Sequence, residues 1–159
     1  GWIASQRDRR NALFERAVLD IEDALRIADV TVQIALRDGY PPIAVAVVDD
    51  NGDLVAFLRM DDTSAFQRDH AMKKAYTSAR LGLDLVEFAA YRADHGLRAA
   101  DFGDERLVGA GRGGVVMTEA HSGSIVGAIG VEGAGEEYDE QLARIGAAEI
   151  RSQSESSSS

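Results

Sequence analysis

The succession of apolar patterns predicts an α+β domain with a mostly antiparallel sheet. Three observations carry this. Apolar residues recur at helical spacing near both ends and in the middle of the chain. Short β-branched runs lie between those segments, and the connections joining the strands are hairpin-like, too short for crossover helices.

The elements follow in order. Over residues 13–36 the apolar positions Phe14, Ala17, Val18, Ile21, Leu25, Ala28, Val32 and Ala35 define one helix face. Asp38-Gly39 supplies a stop, and Pro41-Pro42 bars resumption. Residues 43–48, Ile-Ala-Val-Ala-Val-Val, read as a buried strand. Asn51-Gly52 is a strong hairpin signal, so residues 54–60 return antiparallel.

Asp61, Asp62, Thr63 and Ser64 offer capping oxygens to a helix over residues 65–81, with Phe66, Met72, Ala75, Tyr76 and Ala79 on its apolar face. Gly82 ends it. A shorter helix is expected over 83–93, then a polar turn around Asp94-His95-Gly96. Strands are expected at 106–111, 113–118 and 124–131, with a turn at 119–123. The last helix runs from 136 to about 150; Tyr138, Leu142 and Ile145 share a face, and Glu136 and Glu137 sit at its positive end. The expectation is a sheet of about five strands flanked by long N- and C-terminal helices and a middle helix. One domain covers 13–150, after an extension at 1–12 and before a flexible Ser-rich tail at 151–159.

Composition narrows the function classes. A net charge of −10 with no basic stripe argues against a nucleic-acid partner. The absence of cysteine excludes disulfides, thiolate zinc sites, iron–sulfur clusters and cysteine nucleophiles. The three histidines lack the spacing of a zinc motif, so no built-in metal site is expected. No apolar run approaches the roughly 20 residues that span a bilayer. The start of the chain lacks the long apolar core of a secretory leader. A cytoplasmic protein with no membrane partner is the expectation.

A set of segments, in order, resembles the GlcG/HbpS family of heme-degrading-domain-like proteins. They are Pro41 through Asp49, Gly52-Asp-Leu-Val-Ala-Phe57, Arg59-Met-Asp61, Lys73-Lys-Ala-Tyr-Thr-Ser-Ala79, Gly113-Gly-Val115, Gly127-Ala-Ile-Gly-Val131, Gly133 and Asp139. The resemblance runs from about residue 24 to 148. It implies a profilin-like antiparallel sheet, homo-oligomers, and binding of heme or a small metabolite. Val116 follows the Gly-Gly-Val turn where relatives usually have Pro, which puts the geometry of that loop in question.

Several residues could carry chemistry. Gln67, His70 and Lys74 share one polar helix face; His70 and Lys74 could supply an imidazole and an ammonium, with Tyr76 a further acid–base group. That face is otherwise a solvated one. His95 lies in an expected turn, where a ring nitrogen could ligate heme iron, as His70 also could, or simply meet water; His121 lies in an expected hairpin turn and reads as a surface residue. Gly109-Ala-Gly-Arg-Gly-Gly114 is either a structural turn or an anion cradle, with the amides of Gly113 and Gly114 and the guanidinium of Arg112 as donors. Gly130-Val-Glu-Gly133 precedes a helix, so Gly130, Glu132 and Gly133 could frame an anion pocket. Asp101, Asp104 and Glu105 lack calcium-loop spacing.

Two functional readings stand. The first is a small-ligand-binding protein for heme, another tetrapyrrole or a related cofactor. The second is a small catabolic enzyme doing acid–base chemistry on a carboxylated metabolite with Lys74, His70 and Tyr76. Apolar helix faces left over after covering one sheet point to self-association.

Overall fold

The computed structural model describes residues 17–150. The expectations for 1–12, for the start of the first helix at 13–16 and for the tail at 151–159 lie outside that range. Helix α1 spans Ile21–Arg37 and begins later than the apolar period suggests. Asp20 fixes its start: the carboxylate accepts from the Asp23 amide at 2.8 Å, and residues 17–20 are not helical.

Strands β1 (Ala44–Asp49) and β2 (Leu54–Arg59) form the expected hairpin. Gly52 at φ +89° makes the turn, while Asp49 Oδ1 accepts from the amides of Asn51 and Asp53. Helix α2 is Ala65–Leu81, as the sequence predicts, with Ser64 and Gln67 completing a reciprocal capping box. Helix α3 (Leu85–His95) runs two residues beyond its expected end, so His95 is helical and not part of a turn. A 3-10 turn at Ala99–Phe102 precedes β3 (Gly114–Thr118) and β4 (Ile125–Glu132); α4 is Glu136–Ala147.

Among the described residues the sheet has four strands, in the order β2-β1-β4-β3, and every pairing is antiparallel. The strand expected at 106–111 does not form. Backbone turns at Gly111 (φ +96°) and Gly113 (φ +103°) break extended geometry, and the Val108 amide is instead held by Thr77 Oγ1 at 3.0 Å. That segment is a loop pinned on α2.

The sheet separates two apolar layers. Ile43, Val45 and Val47 point toward α1 and α4, where they meet Ile27, Ala28, Ile129 and Leu142. Ala44, Ala46 and Val48 alternate to the other face, against Ala71, Ala75 and Ala79 of α2. This second layer is built from small side chains, so α2 lies close on the strands. A Cβ on Gly130 would sit 2.1 Å from the Ala71 carbonyl oxygen. Large residues of the expected helix faces do not join these layers: Phe66, Tyr138 and Ile145 are exposed.

Candidate functional site

The close approach of α2 to β4 sets the candidate site. Lys74, on the third turn of α2, is expected on a solvated face but is 1% exposed. Its Nζ donates to the Val131 carbonyl at 2.9 Å and lies 2.6 Å from Glu132 Oε2 and 3.3 Å from Asp139 Oδ2. One ammonium thus answers two carboxylates and a main-chain carbonyl, which satisfies a buried charge that would otherwise be costly.

Glu132 ends β4, and Asp139 sits in the first turn of α4. Between them the chain bends at Gly133 (φ +134°), where a Cβ would strike the Pro42 carbonyl at 2.2 Å. The bend aims the Ala134 amide at Asp139 Oδ1 (2.8 Å) and the Gly133 amide toward Oδ2 (3.4 Å). Burial pushes the Asp139 carboxyl above its ordinary range; the Lys74 charge and the Ala134 amide pull the other way, and Glu132 adds to the rise.

His70 lies one turn before Lys74 and reaches the same carboxylate, with Nδ1 3.4 Å from Glu132 Oε2. Nδ1 is buried and makes no hydrogen bond, while about a quarter of the side chain (26%) stays open. The exposed ring of Phe66 lies 4.9 Å from the imidazole. Gly111 passes over Lys74: a Cβ there would be 3.7 Å from Lys74 Cε and 3.9 Å from Glu136 Oε1.

Of the residues singled out from sequence, the structure brings together His70, Lys74, Glu132 and Gly133. It adds Asp139, which sequence reasoning misses as a chemical group although it stands in the matching pattern. The available signal was an acid at the start of a helix directly after a Gly-rich bend. Gln67 is spent on the helix cap.

The other candidates are placed elsewhere. Tyr76 is two positions from Lys74 and faces away, its hydroxyl donating to Asp104 and accepting from Arg106. Arg112 pairs with Glu140, which also holds Arg144 at 2.7 Å. His95 donates from Nδ1 to the Tyr91 carbonyl at 2.8 Å and stacks on the Tyr91 ring. Gly113, Gly114 and Gly130 have α-carbons packed on protein: Gly113 against Val131 and Asp139, Gly114 against Leu85 and α2, Gly130 beneath α2. They act as spacers that let the helices close on the sheet.

With this geometry in view, comparison with known proteins is informative. A family model described as haem degrading protein HbpS-like matches residues 19–148. The chain belongs to the HbpS-like family. A double mutant of HbpS from Streptomyces reticuli shares 32% identity with this HbpS-like chain, covering 84% of it and 88% of that chain, at a TM-score of 0.72. A PduOC:heme complex is similar in fold, at 23% identity and a TM-score of 0.72, covering 84% of this chain and 96% of that one. The Klebsiella pneumoniae protein ORFY likewise shares the fold, at 20% identity and a TM-score of 0.73, with 85% and 92% covered. No curated protein matched the chain. Among the described residues of this HbpS-like chain no helix is long and apolar enough to cross a membrane.

Proposed function

We propose that this chain binds heme or a closely related tetrapyrrole at the end of the sheet where α2 meets Glu132, with His70 as the nitrogen donor. The observation that carries the reading is the state of the His70 ring: Nδ1 is buried, without a hydrogen bond, and turned toward a carboxylate. A carboxylate 3.4 Å away stands where it would accept from that nitrogen and leave the other for a metal, the usual support of a metal-bound histidine. The exposed Phe66 ring beside it offers apolar surface to a macrocycle. The donor set therefore fits the group.

The family description concerns haem degradation, and a protein of the same fold was solved as a heme complex; both support this reading. When bound, heme would supply a redox-active iron centre. The chain's own part is to orient His70 through Glu132 and to hold Glu132 through Lys74. Titration with hemin, followed at the Soret band, tests the proposal. Saturable binding that is lost in His70→Ala and kept in His95→Ala is expected; binding unchanged in His70→Ala would overturn the assignment.

A second reading is favoured by the cluster of buried Lys74 and Asp139 with half-buried Glu132. Such a group could move a proton on a carboxylated metabolite, with His70 as the partially open member. Tyr76 takes no part in this version. Turnover of an identified carboxylic substrate that survives His70→Ala would remove it.

The exposed apolar stripe of Val18, Ile21, Leu25 and Leu36 along and just before α1 supports self-association of the chain. Sedimentation of Leu25→Glu beside the wild-type protein tests this.

A further inference from the structure

A second recess lies on the other flank of α2, away from Lys74. It is an open groove of about 320 Å³ between the β1–β2 hairpin and the helix, floored by Val48, Leu54 and Met72. That volume suits a small organic molecule. The hairpin turn forms one wall: a Cβ on Gly52 would lie 2.8 Å from the Tyr76 ring, so the backbone rests directly on the aromatic face.

Cations line this groove although the chain as a whole has a net charge of −10. Two cations meet the Tyr76 ring and a third lines the groove. The Arg106 guanidinium stacks over its ring at 4.0 Å, Arg80 approaches the same ring at 6.0 Å, and Lys73 lines the groove. Asp69 lines the groove, Asp104 sits beside Tyr76, and the hairpin that forms the wall carries Asp49, Asp50 and Asp53. Asp104 is engaged by the Tyr76 hydroxyl and by Arg106, and Asp69 is held by Arg68 at 2.9 Å. Lys73 is exposed; among the described residues its ammonium makes no close ion pair, and its charge acts on Asp69, which lines the same groove. An apolar floor with an exposed ammonium and a guanidinium at its rim is complementary to a flat apolar body carrying one negative charge.

We propose that this groove is a binding site for a small aromatic carboxylate, with the ring over Val48, Leu54 and Met72 and the carboxylate on Lys73 and Arg106. It is separate from the His70 site and does not depend on that reading.

The test is chemical-shift mapping of the isotope-labelled protein with 2-naphthoate, with the uncharged isostere 2-naphthamide alongside. Shifts confined to residues 48–54, 69–76 and 104–106 are expected. A charge-assisted contact should make the acid bind roughly ten-fold more tightly than the amide. Lys73→Gln should reduce that preference without unfolding the protein, since the side chain is exposed, and His70→Ala should bind naphthoate like the wild type. Equal affinity for acid and amide, shifts centred elsewhere, or no saturable shifts at all would overturn the proposal. Loss of hemin binding with naphthoate binding intact would remove the first site alone.

Discussion

Lys74 on α2 and Asp139 on α4 meet at the end of the sheet, Nζ to Oδ2 at 3.3 Å, with each residue only 1% exposed. The two helices lie on opposite faces of the sheet, so this contact, reinforced by the Val131 carbonyl and Glu132, ties both layers together.

Removing the ammonium should therefore be expensive. Lys74→Ala leaves two carboxylates without their cation, and a loss of about 3–5 kcal/mol is expected from breaking one side of a buried pair. Combining it with Asp139→Asn should cost clearly less than the sum of the two single changes. Urea denaturation of the four proteins in the cycle measures this directly; strict additivity would show that the two groups are not coupled.

The pH dependence has a definite sign. An acid whose folded pKa is raised binds its proton more tightly in the folded state, so its contribution favours the fold below the ordinary value of 3.8 and is lost as pH rises through the folded value. Asp139→Asn removes that titration. The stability of wild type relative to Asp139→Asn should accordingly decline from acid toward neutral pH. A difference that instead grows with pH would mean that the attraction of Lys74 outweighs burial.

Beneath α2 the fold has no spare room. Gly130→Ala places a methyl group 2.1 Å from the Ala71 carbonyl and 2.6 Å from the Ala75 amide, both of them backbone atoms. A loss of about 3 kcal/mol or more is expected, at the upper end of overpacking effects. Gly39→Ala is the control: nothing lies within 4 Å, and only its φ of +69° is unfavourable, so about 1–2 kcal/mol is expected. Thermal unfolding of both variants should rank them in that order.

Ser64→Ala should cost about 1 kcal/mol, because it removes the acceptor for the Gln67 amide at the start of α2. Faster amide exchange in the first turn, with little change near Lys74, is the accompanying signature in hydrogen-exchange measurements.

Much of the fold was legible because local chemistry decided it. The bounds of α2 follow from Ser64 and Gly82, and the hairpin from Asn51-Gly52. The strand expected at 106–111 failed because glycine turns and a tertiary bond to Thr77 overrode a plausible run of residues. The site was half legible. His70 and Lys74 stand at helical spacing, but spacing gives only a face. It does not say that Lys74 points into a buried corner, or that Tyr76 belongs to a different one. Asp139 was hidden because its role comes from a partner 65 positions away.

The alanine and glycine layer under α2 has an effect on how this protein can vary. Backbone rests nearly on backbone there, so the helix has no cushion of flexible side chains to absorb a change. Lys74 and His70 hang from one flank of that helix, and Lys73 and Tyr76 from the other. A single enlarged residue in the layer would therefore displace both sets of groups together, and the two recesses are inherited as one mechanical part.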